Sequence, residues 1–174
     1  SIGTSTGYAS ADYALWPSLS LLILMFLMIV GASAGSTSGG LKILRLKIAY
    51  EIVRQEIGRI VQPRSVRSIR MNGEVVPLSK VQVVLGMLSA WAVSAVVGTT
   101  LIAIFEPNLD LESVLSLSLS CLGNTGPALG TYGPTATWAS MNPSTMLITT
   151  LMMWLGRLEI LTVLVVFNPR AWRL

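Results

Sequence analysis

Residues 81–105, VQVVLGMLSAWAVSAVVGTTLIAIF, contain no charged side chain. A run of that length and polarity suits a helix crossing the ~30 Å hydrocarbon core of a bilayer. Two other stretches are comparable. Residues 17–34 (PSLSLLILMFLMIVGASA) carry no charge, and residues 143–166 (PSTMLITTLMMWLGRLEILTVLVV) carry only Arg157 and Glu159. Each is long enough to cross as a helix. Pro17 and Pro143 suit first helical positions, and Asn142 suits an N-cap. A chain that is 52% hydrophobic and 11% charged is wrong for a soluble domain. The fold class expected is an all-α membrane protein.

Charge orients the spans. Residues 42–80 hold Lys42, Arg45, Lys47, Arg54, Arg59, Arg64, Arg67, Arg70 and Lys80, and the tail holds Arg170 and Arg173. Residues 106–142 hold Glu106, Asp110 and Glu112 and no base. The excess of bases places 42–80 and the tail in the cytoplasm and 106–142 outside. The N-terminal loop, with Asp12 alone, is then external. Ser1 opens the chain inside a loop-like segment with no signal-peptide pattern, so the chain reads as a fragment with upstream sequence missing.

Two elements are expected on the cytoplasmic side. Residues 41–62 have helical periodicity with a basic face and continue the first membrane helix into the cytoplasm or along the interface. Residues 66–77 (VRSIRMNGEVVP) read as a small β-hairpin turning at Asn72-Gly73, an ordinary connector rather than a binding element.

On the external side, residues 109–122 form a short helix with Asp110 as N-cap and Glu112 in its first turn. It is too short to span. GNTGPALG follows at 123–130, and then the third apolar stretch. Helix, short loop and return to one side describe a re-entrant segment. Irregular backbone at membrane depth must be buried in protein or line a water-filled cavity.

That loop has a counterpart. Thr6-Gly7-Tyr8-Ala9 and Thr125-Gly126-Pro127-Ala128 share a pattern, and each precedes a Pro that opens an apolar run. Carbonyl oxygens aimed at a narrow axis can replace an ion's water shell. Glycine permits the positive φ or close approach this needs, and Thr and Ser hydroxyls add oxygen ligands suited to hard cations. No carboxylate lies in 3–9 or 123–130, which favours a monovalent cation. Pro127, standing where the first loop has Tyr8, predicts unlike backbones in the two loops.

Gly31 follows Pro17 by the same interval as Arg157 follows Pro143, about 21 Å into each helix. GASAGSTSGG, 31–40, thus falls at the depth of Arg157, on the cytoplasmic side of both loops. It is no phosphate-binding loop, because Lys42 follows Leu41. Gly31, Gly35 and Gly39 fit a GxxxG packing face. The preferred reading is a helix break forming a flexible loop, since Gly, Ser and Thr are poor helix formers. Arg157 would cost about 2.5–3.5 kcal/mol at mid-bilayer and so faces a cavity or a partner. It serves either as a salt-bridge member or as a positive charge beside the ion path.

The chain has no His, and its single Cys121 can form neither an internal disulfide nor a zinc cluster. Catalysis is not expected.

STGYA at 5–9, GASAGSTSGGLK at 31–42, GNTGPALG at 123–130 and LGRLEI at 155–160 together resemble the Trk/Ktr/HKT superfamily of potassium transporters, nearest its prokaryotic Trk-type membrane subunits. The resemblance implies tandem helix–pore loop–helix repeats around a pseudo-fourfold, potassium-channel-like pore. Residues 1–62 would hold the filter loop and broken second helix of the third repeat with a cytoplasmic extension. Residues 63–80 would be the cytoplasmic connector with its hairpin. Residues 81–174 would be the fourth repeat, with helix 81–105, pore helix 109–122, filter 123–130 and helix 143–166. Filter residues carry over as Ser5, Thr6, Gly7 and Tyr8, and as Asn124, Thr125, Gly126 and Pro127, with K+ as the ion they meet. The intramembrane gate carries over as Gly31, Gly35, Ser36, Thr37, Ser38, Gly39, Gly40 and Arg157.

The resemblance further implies potassium uptake across the cell (plasma or inner) membrane, alone or coupled to Na+ or H+, by a multi-pass protein that binds no cofactor. Expected partners are membrane lipids, a second copy in a homodimer and a cytosolic nucleotide-binding regulatory subunit, and no nucleic acid. The basic 42–80 surface suits docking of that subunit, and phospholipid attraction explains the same charges. The alternatives are a cation channel of another pore-loop family and a non-transporting membrane assembly subunit.

Overall fold

The computed structural model describes residues 1–32, 39–61, 70–71, 74–75, 77–158, 163 and 165. Its elements in chain order are α1 (Ser18–Val30), α2 (Ile43–Val61), β1 (Arg70–Met71), β2 (Glu74–Val75), α3 (Leu78–Phe105), α4 (Leu111–Gly123) and α5 (Pro143–Arg157). Short 3₁₀ turns lie at Tyr13–Leu15, Gly130–Tyr132 and Trp138–Ser140. Apart from the two-residue strands, the described elements are helical. β1 and β2 pair antiparallel, Arg70 with Val75 and Met71 with Glu74. The Asn72-Gly73 pair lies outside the described residues.

Among the described helices, one, Ser79–Phe105, is long and apolar enough to cross a membrane. Its side chains Val93, Val96, Val97 and Ile104 are exposed. So are Leu19, Leu22, Ile23 and Phe26 on α1. Apolar surface on this scale suits hydrocarbon and not water.

The helix of the 17–34 stretch stops where the Gly/Ser/Thr-rich 31–40 segment begins. Helix α1 ends at Val30, after about 20 Å. Gly31 caps it at φ 64°, a conformation open to glycine and costly for other residues. Pro17 is the N-cap, one residue before the position expected for it. At the other end of the chain, α5 stops at Arg157, with Leu158 as its C-cap. Residues 159–162, 164 and 166–174 lie outside the described residues, and with them most of the remainder of the predicted 143–166 helix; 163 and 165 are helical.

Helix α5 begins as its sequence predicts. Asn142 accepts a hydrogen bond from Ser144 N–H at 3.2 Å, and Pro143 takes the first position. The Asn142 N–H itself donates to Glu106 Oε1 at 2.7 Å, tying this start to the end of α3. Asp110 caps α4 by position alone. Its carboxylate accepts the Ser113 hydroxyl at 3.2 Å instead of a backbone N–H.

Helix α4 lies at the centre. It packs against α3 and α5 on one side and α1 on the other. Val114, Leu117, Cys121 and Leu122 join Trp91, Ile102 and Met152 in the main core. A second cluster of Ile2, Tyr13, Leu21, Met28 and Leu129 fastens the N-terminal loop to α1. Leu119 of α4 touches both clusters. Where α3 and α5 cross, Gly98 leaves room for the Met152 thioether. Helices α1, α3 and α5 thus each pack on α4, the buried helix.

Candidate functional site

The two Thr-Gly loops meet. A Cβ added to Gly126 would stand 3.1 Å from Gly7 Cα, and one added to Gly7 would stand 3.1 Å from the Thr125 carbonyl oxygen. Both glycines have positive φ, +82° at Gly7 and +104° at Gly126. Two residues before each stands a second left-handed residue, Ser5 at 54° and Asn124 at 50°. Two loops far apart in sequence therefore share one rare pattern of backbone signs, left-handed at the first and third positions. The unlike backbones expected from Pro127 are not found at these positions. Proline restrains its own φ and its predecessor's ψ, and Gly126 absorbs the restraint.

An open cavity of about 280 Å³ lies over the contact, lined by residues including Gly7, Tyr8, Gly126, Pro127, Pro134 and Trp138. Tyr8 is 83% exposed. Thr6 is exposed too, its hydroxyl 2.8 Å from that of Thr4.

The opposite end of the second loop is closed by glycines. Gly123 packs on the Met28 carbonyl at the end of α1, where a Cβ would come within 2.7 Å of the oxygen. Gly39 lies against the Gly123 carbonyl, and its added Cβ would stand 3.1 Å from Asn124 Cβ. Gly156 lies against the Leu122 carbonyl, with its added Cβ 2.7 Å from Asn124 Nδ2. Asn124 Nδ2 donates to the Met153 carbonyl at 3.2 Å. Asn124 is thus where the loop, the end of the 31–40 segment and the last turn of α5 converge. Ser5 Oγ donates to the Gly123 carbonyl at 3.4 Å, bringing the first loop to the same place.

The 31–40 segment leaves and returns at one point. Leu41 N–H donates to the Ile29 carbonyl at 3.1 Å, and Ile43 N–H donates to Ala32 at 3.3 Å. A Cβ on Gly31 would stand 2.6 Å from the Gly39 carbonyl. Gly31 and Gly39 lie in a closed loop and not on a helix, so they form no GxxxG helix face. Gly35, Ser36, Thr37 and Ser38 lie outside the described residues. Gly40 has φ 77°. Arg157 ends α5 one residue past Gly156, where a cation suits the negative end of the helix dipole. It is exposed.

Behind the second loop stands a row of hydroxyls that the sequence reading did not single out. Ser113, Ser116 and Ser120 share one face of α4 and are at most 1% exposed. Ser120 Oγ donates within reach of two carbonyls, Pro127 at 2.9 Å and Gly126 at 3.1 Å, and accepts the Thr125 hydroxyl at 2.9 Å. Ser116 Oγ accepts the Leu129 N–H, and Ser113 Oγ accepts the Thr131 N–H, each at 3.0 Å. Ser118 faces the other way and donates to the Ala95 carbonyl of α3 at 3.3 Å. Thr125, 1% exposed, turns its hydroxyl back to the helix, where it donates to Ser120 Oγ. The i, i+3, i+7 spacing of the three serines was the available signal, hidden in SVLSLSLS at 113–120, whose alternation resembles a strand.

No cluster of three or more acids, Cys or His suited to a metal occurs among the described residues. What the site offers an ion is uncharged oxygen at a contact between two loops.

The family described as TrkH, a cation transport protein, matches residues 1–173. The chain is 34% identical over 173 residues to the Trk system potassium uptake protein TrkH of Salmonella typhimurium, covering 99% of this chain and 35% of that protein. It is 35% identical over 176 residues to the Trk system potassium uptake protein TrkI of Halomonas elongata, with the same coverage. The crystal structure of the potassium transporter TrkH from Vibrio parahaemolyticus superposes with a TM-score of 0.86 at 32% identity, covering 98% of this chain and 36% of that one. The chain therefore spans about a third of the length of the relatives it matches.

Proposed function

The chain belongs to the TrkH family of cation transport proteins, and we propose that its two Thr-Gly loops form part of the selectivity filter of a potassium uptake protein of the cell membrane. The observation that carries this is the contact of Gly7 with Gly126, two positive-φ glycines in loops of matching backbone signs, at the floor of one open cavity. Filter residues are Ser5, Thr6, Gly7 and Tyr8 with Asn124, Thr125, Gly126 and Pro127. Backbone carbonyls replace the water shell of K+, and the absence of a carboxylate suits a monovalent ion. The exposed apolar faces of α1 and α3 support a membrane setting.

Below the filter, the 31–40 loop and Arg157 act as the gate. The packing of Gly39 and Gly156 on the Gly123–Asn124 turn supports this, because both meet the end of the loop remote from the cavity. The gate comprises Gly31, Gly35, Ser36, Thr37, Ser38, Gly39, Gly40 and Arg157. Residues 1–62 supply a filter loop and broken helix of one repeat, and 81–174 supply a complete repeat, with 63–80 and its small hairpin cytoplasmic. The relatives' potassium uptake applies to the full-length protein, with further repeats completing the pore. A homodimer and a cytosolic nucleotide-binding regulator docking on the basic 42–80 surface complete the assembly.

The test is rubidium uptake by the full-length protein in cells lacking their own potassium uptake systems, comparing wild type with Gly126→Ser at matched membrane abundance. Loss of uptake, or gain of sodium permeation, supports the filter. Equal uptake in both overturns it.

A further inference from the structure

We propose that Ser120 is a positioning residue of the filter: its hydroxyl holds the Gly126 and Pro127 carbonyls toward α4 and so decides which oxygens of this loop remain for the ion. The inference rests on the filter reading above and adds a residue outside the loop itself.

The geometry is specific. Ser120 is 1% exposed, so its hydroxyl has no water to turn to. It has one proton to donate and two carbonyls within reach, Pro127 at 2.9 Å and Gly126 at 3.1 Å. One of its two lone pairs accepts the Thr125 hydroxyl at 2.9 Å. The Thr125 N–H also donates to the Ser120 carbonyl at 3.1 Å. One residue of α4 therefore binds three consecutive residues of the loop.

The consequence concerns the ion. Carbonyls of Gly126 and Pro127 drawn toward α4 point their dipoles away from the opposite side of the loop. The carbonyls of Asn124 and Thr125 remain for an ion. Among the described residues neither accepts a hydrogen bond. Thr125 O lies beside Gly7 at the contact between the loops. Without the Ser120 hydroxyl, the two carbonyls lose a donor in a buried place and turn to find another. Positive φ at Gly126 gives the peptide the freedom to turn. A loop whose oxygens can rotate fits ions of several radii, so discrimination falls before conduction does.

The experiment compares wild type, Ser120→Ala, Ser120→Thr, Ser120→Cys and Gly126→Ser in the full-length protein, at matched membrane abundance. The readout is the ratio of rubidium to sodium uptake per molecule, which a merely structural residue would leave unchanged. Ser120→Ala is expected to lower the ratio about tenfold, the order expected for one buried hydrogen bond. Ser120→Thr, which keeps the hydroxyl, restores most of it. A wild-type ratio in Ser120→Ala, with an altered ratio in Gly126→Ser, overturns the positioning role and leaves the filter intact. A wild-type ratio in both overturns the filter and the positioning role together. If Ser120→Ala fails to reach the membrane, Ser120→Cys decides. It leaves the loop's own residues unchanged and replaces the hydroxyl by a weak thiol donor, so a lowered ratio supports the proposal and an unchanged ratio overturns it.

Discussion

Gly7 and Gly126 face each other so closely that a methyl group on Gly126 would stand 3.1 Å from Gly7 Cα. Neither position can accept a side chain without moving the other loop. Both also need φ values, +82° and +104°, that L side chains rarely adopt.

Gly7→Ala and Gly126→Ala are each expected to abolish selective rubidium uptake. Each adds about 1–3 kcal/mol of backbone strain on top of the clash. The assay is uptake per molecule at matched abundance. Normal uptake by either variant would show that the loops do not need this contact.

Asn124 gives a prediction about backbone against side chain. It has φ 50° and donates to the Met153 carbonyl. Asn124→Gly keeps the left-handed conformation and loses only the hydrogen bond. Asn124→Ala loses both and should be less stable by about a further 1 kcal/mol. Thermal midpoints of the two variants in detergent test the order. An alanine variant as stable as the glycine one would contradict the left-handed requirement.

Two helix glycines should answer the same substitution differently. Gly156→Ala presses on the Leu122 backbone carbonyl, which cannot move without moving the Gly123–Asn124 turn. It should cost about 1–3 kcal/mol and reduce folded protein in the membrane. Gly98→Ala presses on the end of the Met152 side chain, which can adopt another rotamer. Its effect should be clearly smaller. Detergent melting curves of the pair decide, and equal losses would refute the distinction.

Glu106 and Asn142 join α3 to α5 through a 2.7 Å hydrogen bond at an exposed site. Glu106→Ala should lower stability by about 1 kcal/mol, with little effect on ion selectivity. Measuring melting and the rubidium-to-sodium ratio on the same preparation separates these effects. A changed ratio would place Glu106 in the ion path.

Arg157 sits at the end of α5, one residue beyond the contact of Gly156 with Leu122 and Asn124. If it forms an electrostatic barrier, Arg157→Ala should raise flux or weaken its regulation, and Arg157→Lys should stay near wild type. Unchanged flux in a normally assembled alanine variant would leave Arg157 a packing role.

Sequence alone determined the features that depend on local chemistry. Charge-free runs of this length announce membrane helices because a helix satisfies all its backbone bonds within one segment. Asn142-Pro143 announces a helix start because a side-chain acceptor and a missing N–H suit the first turn. The repeated Thr-Gly pair marked both loops because glycine is the residue that tolerates their φ. The tertiary structure decided which serines of 113–120 face the loop, and that Asn124 gathers three segments. It also decided the tie between Ser5 and Gly123, 118 residues apart. Those relations are approaches between backbones from distant parts of the chain. Local periodicity carries polarity and length, but it does not say which two backbones will come close enough to exclude a methyl group.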